Sequence, residues 1–270
     1  PAPLDPSSDA TEGVVLEDLR SFHEHPVKHF FRNRLRVTLP KQHEEADTEL
    51  PTTIDKLEAS GIGRDLIAIG MSLDDPEAIR IGEAGPGPDL HPRAAAVIDH
   101  HRARGILPPP SAAHPELAAM SDEIAEILAK VQAIDALHLA DQLHRIDLVL
   151  SDGTRLHGTV AGCCDGPTPG PLQVRYARFK PKYLAAMAVD LLALTAAHPD
   201  QDWRGVVATR LPSKGKVPDL WIRKVRGRSP EERRRTALDA LGALVEQHRD
   251  GLCYPLPLFD ATSFEHFDPD

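Results

Sequence analysis

Residues 146–179 read IDLVLSDGTRLHGTVAGCCDGPTPGPLQVRYARF, and the fold is decided there. Ile146, Leu148 and Leu150 recur at every second position, the period of a strand with one buried face. Ser151-Asp152-Gly153 is a turn, because Asp-Gly accepts the backbone that a tight hairpin needs, and residues 156–161 run back. A Gly/Pro-rich loop then leads to a third strand over residues 172–179. The period changes to that of a helix over 181–197, with Leu184, Met187, Ala188, Leu191 and Leu192 on the face expected to be buried. Hairpin, strand, long helix is the order that emerges.

Further along, residues 203–209 and 220–225 read as two more strands. Ser229-Pro230-Glu231-Glu232 opens a helix, with a capping hydroxyl, proline at the first position and acids in the first turn. That helix is expected to bury Leu238, Leu241, Leu244 and Val245 and to stop near Gly251. Upstream, Leu117, Met120, Ile124, Ile127, Leu128 and Val131 give an amphipathic helix over 116–131. Short helices are expected over 52–73, 76–81 and 93–104, with 82–92 and 105–115 as Gly/Pro-rich connectors. Residues 16–37, LEDLRSFHEHPVKHFFRNRLRV, give two helices. Leu16, Leu19 and Phe22 share a face of the first; His25-Pro26 breaks the chain and restarts it, with His25 expected to cap. Val27, Phe30, Phe31 and Leu35 are expected on one face of the second. Residues 40–51 are a polar, acidic loop, and 1–14 read as a linker from an upstream domain. The expectation is an α/β (α+β) architecture: a mainly helical part over 15–143, inserted before a mixed sheet with its closing helix over 144–270.

Composition narrows the function. Hydrophobic residues make up 41% of the 270, enough for a sizeable core, but aromatics are only 4%, so aliphatics must fill it. No apolar run approaches a membrane span and no secretory signal appears. Three cysteines, two of them adjacent, do not make a disulfide framework and fit a reducing cytoplasm. The net charge of −10 argues against an indiscriminate nucleic-acid binder. Residues 201–235 nevertheless hold eleven Lys or Arg against four acids, a local excess of seven positive charges. A solvated face is the ordinary role of such a run; phosphate or an acidic partner is the alternative.

The stretch at 16–37, with its HPVKHFF and RLRV, resembles the opening of the C-terminal domain of the RecC-type gamma subunit of exodeoxyribonuclease V. The likeness resumes at Tyr183, Met187, Leu191 and Leu192. It continues in His248-Arg249-Asp250-Gly251, Tyr254-Pro255-Leu256-Pro257-Leu258-Phe259 and Thr262-Ser263, covering roughly 15–37 and 146–264. The hairpin–strand–helix order is also that of the PD-(D/E)XK nucleases. In active members an Asp ends one strand and an acid-x-Lys triplet lies on the next, holding Mg²⁺ and steering water. Here Ala161 stands at the first carboxylate position, Arg175 at the second and Ala177 at the lysine. An alanine and a cation cannot bind a divalent metal, and Asp165, in a Gly/Pro loop, is a poor substitute.

The resemblance therefore implies a nuclease-like domain without nuclease chemistry. It would bind no cofactor of its own, with Mg²⁺ and ATP used by partner subunits. Those partners would be a RecB-type nuclease–helicase and a RecD-type helicase, acting with this domain on double-stranded DNA ends. Contact with DNA or partners is expected from Arg175, Arg178, Lys180, Lys182, Arg223, Lys224, Arg226 and Arg228, and from the apolar Tyr254, Leu256, Leu258 and Phe259. Two other readings compete: a working metal-dependent nuclease with relocated carboxylates, and a simple DNA-binding module. The remaining motifs are weak. His23, His25 and His29 lack a predictable acidic partner, Cys163-Cys164 with His157 lacks C-x-x-C spacing, and Asp99-His100-His101 lacks the further Asp motifs of DHH phosphoesterases. The glycines of 82–87 lack the Gly-Lys-Ser/Thr of a P-loop.

Overall fold

The computed structural model describes residues 13–37, 51–82, 90–210, 219–254 and 256. The order of elements is β1 (Val14–Val15), α1 (Leu16–Glu24), α2 (Pro26–His29), α3 (Lys56–Gly70), α4 (Pro92–Ala103), α5 (Pro110–Gln132), β2 (His144–Val149), β3 (Arg155–Val160), β4 (Cys163–Cys164), β5 (Gly170–Arg178), α6 (Pro181–Ala197), β6 (Gly205–Arg210), β7 (Leu220–Arg223) and α7 (Pro230–Cys253). A mixed α/β architecture with its helical part before the sheet is what the sequence predicts.

The expected hairpin forms, with Leu148 opposite Leu156 and Gly153 of the turn at φ +84. The strands do not make one continuous sheet. The hairpin and β1 form a three-stranded sheet in the order β1-β3-β2, while β4-β5-β6-β7 form a second, four-stranded one. Both are mixed: β1 runs parallel to β3, and β5 parallel to β6. The chain changes sheets at Gly162, whose φ of +68 costs glycine little.

Period-2 alternation on β5 and β6 divides the apolar interior in two. Leu172, Val174 and Tyr176, with Val206 and Ala208, face a core built mainly from α3, α4 and α5. Ala177 and Val207 face a second core built from the hairpin, α1, α6 and α7. Leu16 and Leu19 of the second core are fully buried, as is Phe22 at the end of α1, each worth ~1.5–3 kcal/mol of transfer energy. Ser229 caps α7, accepting from the Glu232 amide at 3.2 Å.

Several expectations are corrected. His25 occupies the cap position before α2 but makes no side-chain cap bond. Val27, Phe31 and Leu35 are exposed and only Phe30 of that set is buried. After Val27 the helix passes into a π-helical turn, Phe30–Arg34, closed by the Leu35 amide on the Phe30 carbonyl at 3.2 Å. A widened turn rotates later side chains off the face that a regular helix would give them. Helix α5 starts at Pro110 rather than 116 and carries Pro115 inside it. Helix α6 is buried nearly all round: Tyr183, Val189, Asp190, Ala193 and Leu194 join Met187 and Leu191, while Leu184, Ala188 and Leu192 are only half-buried. Residues 76–81 hold a 3-10 turn, Pro76–Ile79. Helix α7 runs through Gly251 to Cys253, and that glycine lets the Phe22 ring approach: a Cβ there would lie 2.2 Å from Phe22 Cε2.

Around Phe22 the ring centroids of His23, His29 and His248 lie at 5.0, 5.7 and 5.3 Å, joining α1, α2 and α7. His29 and His248 approach each other at 3.4 Å. Burial lowers the pKa of all three; for His248, with its histidine neighbours and Arg249 adding repulsion, it falls to about 4. A lowered pKa in the folded state means the unfolded chain binds protons more readily. Stability contributed by these neutral rings is complete above about 6.5, the ordinary histidine value, and is lost as pH falls toward 4. Urea midpoints followed by circular dichroism are expected to drop between pH 7 and 5, and His248→Leu to flatten that drop. An unchanged slope in His248→Leu would rule out this origin.

Candidate functional site

Arg175, the position expected for the second carboxylate, lies where three elements meet: the C-terminal end of α1, the C-terminal half of β5 and the first turn of α6. On β5, Gln173, Arg175 and Ala177 alternate onto one side. The ladder to β6 is irregular between Arg175 and Arg178, a bulge at the expected acid-x-Lys triplet. Bulges re-aim side chains at the edges of sites. Arg175 Nε and Nη2 each reach Gln173 Oε1 at 3.3 Å, and Arg175 Nη2 lies 3.7 Å from Glu24 Oε1. Its guanidinium sits over the Tyr183 ring, 4.6 Å from the centroid.

A guanidinium thus lies beside the carboxylate that α1 brings to the site. Lys182 Nζ donates to His25 Nε2 at 2.7 Å and stands 5.7 Å from the Tyr183 centroid. Arg175 and Lys182 thus share the Tyr183 ring, and two cationic side chains stand beside it. A divalent ion there would meet Arg175 and Lys182 with Glu24 as the nearby acid. Among the described residues no group of three His, Cys, Asp or Glu is placed to hold a metal ion. Ala161 is exposed, next to the Gly162 turn, and Ala177 packs on the hairpin-side core. Arg178 and Lys180 are exposed at the strand end.

Glu24, Gln173 and Tyr183 were not legible as site residues. Glu24 and Tyr183 are far apart in sequence, and the acid-His-Pro break at 24–26 and the Lys-Tyr pair at 182–183 are the only signals that touch them.

The basic run divides by role. Arg234 Nε donates to the Ala196 carbonyl at 3.0 Å and Arg233 Nη2 to the Pro199 carbonyl at 3.1 Å. These two cations satisfy carbonyls at the C-terminal end of α6, a structural use of charge. Lys224 pairs with Asp202 at 2.5 Å, and Arg223 covers the Trp221 ring at 4.7 Å. Arg226 and Arg228 are exposed. Tyr254 is exposed and Leu256 half-buried; Leu258 and Phe259 lie outside the described residues.

The weaker motifs have structural employment. His101 is buried and bonded to Asp65 at 3.0 Å, and Asp99 pairs with Arg102 at 2.6 Å. Cys163 and Cys164 are both buried, and burial above all pushes the Cys163 thiol up to about 12, so the thiolate a metal needs is disfavoured. His25 and His29 point to different partners, Lys182 and His248.

Residues 11–268 match the family model of the RecC C-terminal domain. The chain belongs to that family. Among RecC relatives, the RecBCD enzyme subunit RecC of Mycolicibacterium smegmatis is 31% identical over 255 residues, 94% of this chain and 20% of the relative. The RecBCD enzyme subunit RecC of Mycobacterium tuberculosis is 28% identical over 215 residues, 80% of this chain and 17% of that protein. The chain therefore spans about a fifth of the length of the RecC proteins it matches. No helix among the described residues is long and apolar enough to cross a membrane.

Proposed function

We propose that this RecC-family chain is a non-catalytic, nuclease-like domain of a RecBCD-type assembly. It supplies surfaces for a RecB-type nuclease–helicase and a RecD-type helicase and helps guide DNA ends during double-strand-break repair in the cytoplasm. The observation that carries this is the Arg175–Glu24 pair: a positive side chain stands where the second metal carboxylate belongs, held by Gln173, Glu24 and Tyr183. Metal-assisted attack needs carboxylates that gather a divalent ion and lower the pKa of its water. Arg175 repels that ion, and Ala177 offers no amine to orient the water. Mg²⁺ and ATP would be used by the partner subunits. Exposed Arg223, Arg226 and Arg228, with Arg175, Arg178, Lys180 and Lys182 at the strand end, would meet phosphate or an acidic partner face.

The competing reading, a nuclease with relocated carboxylates, predicts Mn²⁺-dependent cleavage of linear duplex by the free chain. Sedimentation of the chain with each purified partner subunit, alongside that cleavage assay, separates the two. Association with either partner and no cleavage is the expected result. Cleavage abolished by removing two specific acids, without association, would overturn the proposal.

A further inference from the structure

Four of the eleven large hydrophobic side chains that are exposed among the described residues fall within 27–37: Val27, Phe31, Leu35 and Val37. The first three recur at i, i+4 and i+8, and the π turn at Phe30–Arg34 keeps them in line. Four residues overshoot a regular turn of about 3.6 and fall short of a wider π turn, so the drift from Val27 to Phe31 is taken back from Phe31 to Leu35. Eight residues of helical rise make this stripe about 12 Å long. Its central ring is already oriented. Phe31 stands edge-on to the buried Phe30, with ring centroids 5.9 Å apart, and an aromatic held this way loses little freedom when a partner covers it.

Lys28, Arg32 and Arg36 are exposed beside the stripe, and residues 25–37 contain no acid, in a chain whose net charge is −10. The complement of an apolar stripe in a cationic frame is an apolar ridge in an acidic one. Val27 and Leu35 have no π face on which a base could stack, so a nucleic-acid strand would leave most of the stripe wet. A helix with apolar residues every three or four positions would instead interdigitate with side chains spaced at i, i+4 and i+8.

We propose that the Val27–Phe31–Leu35 stripe is a docking site for an acidic amphipathic helix of another protein chain. Phe31 is the central anchor, and Lys28, Arg32 and Arg36 face the carboxylates of that helix. A stripe this short covers less than the roughly 800 Å² that a stable interface takes from each partner, so it anchors a wider contact. The site rests on the scaffold role proposed above, in which the helix belongs to a RecB-type or RecD-type subunit.

The test places a photo-reactive p-benzoylphenylalanine at Phe31 and irradiates the full chain with each purified partner subunit, mapping the captured peptide by mass spectrometry. The expected capture is a partner peptide with an excess of acids and apolar residues at helical spacing. Sedimentation should show association weakened about tenfold or more by Phe31→Asp, as for a central aromatic anchor. Lys28→Glu with Arg32→Glu should weaken it as well, by a factor that shrinks as salt screens the charges. Circular dichroism of both variants should match that of the unaltered chain. Association indifferent to both variants leaves the scaffold role standing and overturns the docking site. So does capture of a basic partner peptide, of a peptide from this chain itself, or of a single-stranded oligonucleotide added as competitor. No association of the unaltered chain with either subunit overturns the scaffold role and the docking site with it.

Discussion

Arg20→Ala is expected to cost ~3–5 kcal/mol of folding stability at pH 8, because it leaves a buried carboxylate without its counter-charge. Arg20 Nε lies 3.1 Å from Asp190 Oδ1, Nη1 lies 3.1 Å from Glu17 Oε2, and Nη2 reaches the Thr159 carbonyl at 3.4 Å. One side chain thereby ties α1 to α6 and to β3. The Arg20–Asp190 contact is an ion pair rather than an aligned hydrogen bond, since neither atom completes hydrogen-bond geometry. Burial above all raises the Asp190 carboxyl to about 7, against the pull of Arg20 and with Glu17 and Glu24 adding to the rise. A raised pKa means the folded state holds the proton more tightly than the unfolded chain. Stability from this group is full at or below the ordinary aspartate range and is lost as pH rises through about 7. The loss in Arg20→Ala should therefore be smaller at pH 5, where Asp190 can take up a proton, than at pH 8. Urea unfolding at both values measures it. Equal losses at the two pH values, or a loss under about 1 kcal/mol, the range of an exposed pair, would show that Asp190 is not held as an isolated charge.

Phe22→Ala should be as damaging, at ~3–5 kcal/mol, the usual cost of emptying a buried phenylalanine site. Phe22 is fully buried, and its ring is the common contact of His23, His29, His248 and Gly251. Its removal leaves a cavity between α1 and α7 and admits water to three histidines that are held neutral by burial. The acid sensitivity of the variant should accordingly shrink along with its stability. A control at Phe31, which is exposed, is expected to stay within about 0.5 kcal/mol of the unaltered protein. If Phe22→Ala costs no more than the Phe31 control, the α1–α7 contact is not what holds these helices.

These two side chains show what kinds of contact a linear reading finds. Phe22 was legible: with Leu16 and Leu19 it keeps a helical period, and a period names the face that must be buried whatever that face meets. Arg20 was not, because its meaning depends on Asp190, which lies 170 positions away. An Asp inside the apolar run AVDLLAL of α6 was the available hint, since an ionisable group there needs a partner. The surroundings of Arg175 divide in the same way. Ala161, Arg175 and Ala177 are singled out in the sequence only by the resemblance to the PD-(D/E)XK strand order, and in the fold β3 and β5 lie in different sheets. Glu24, Gln173 and Tyr183 enter only when α1 and α6 are packed against β5.

The sequence by itself determined the element order, the hairpin with its Asp-Gly turn and the capped start of α7. Each rests on local periodicity, turn chemistry or residue identity, which act over a few neighbouring positions. Tertiary structure alone decided that the strands divide into two sheets at Gly162, that α6 is buried on nearly every side and that Val27, Phe31 and Leu35 stay on the surface. It also decided that Arg175 lies beside the Glu24 carboxylate. Those outcomes are set by which elements compete for the same buried space, and by charges brought together from distant parts of the chain, where no periodicity reaches.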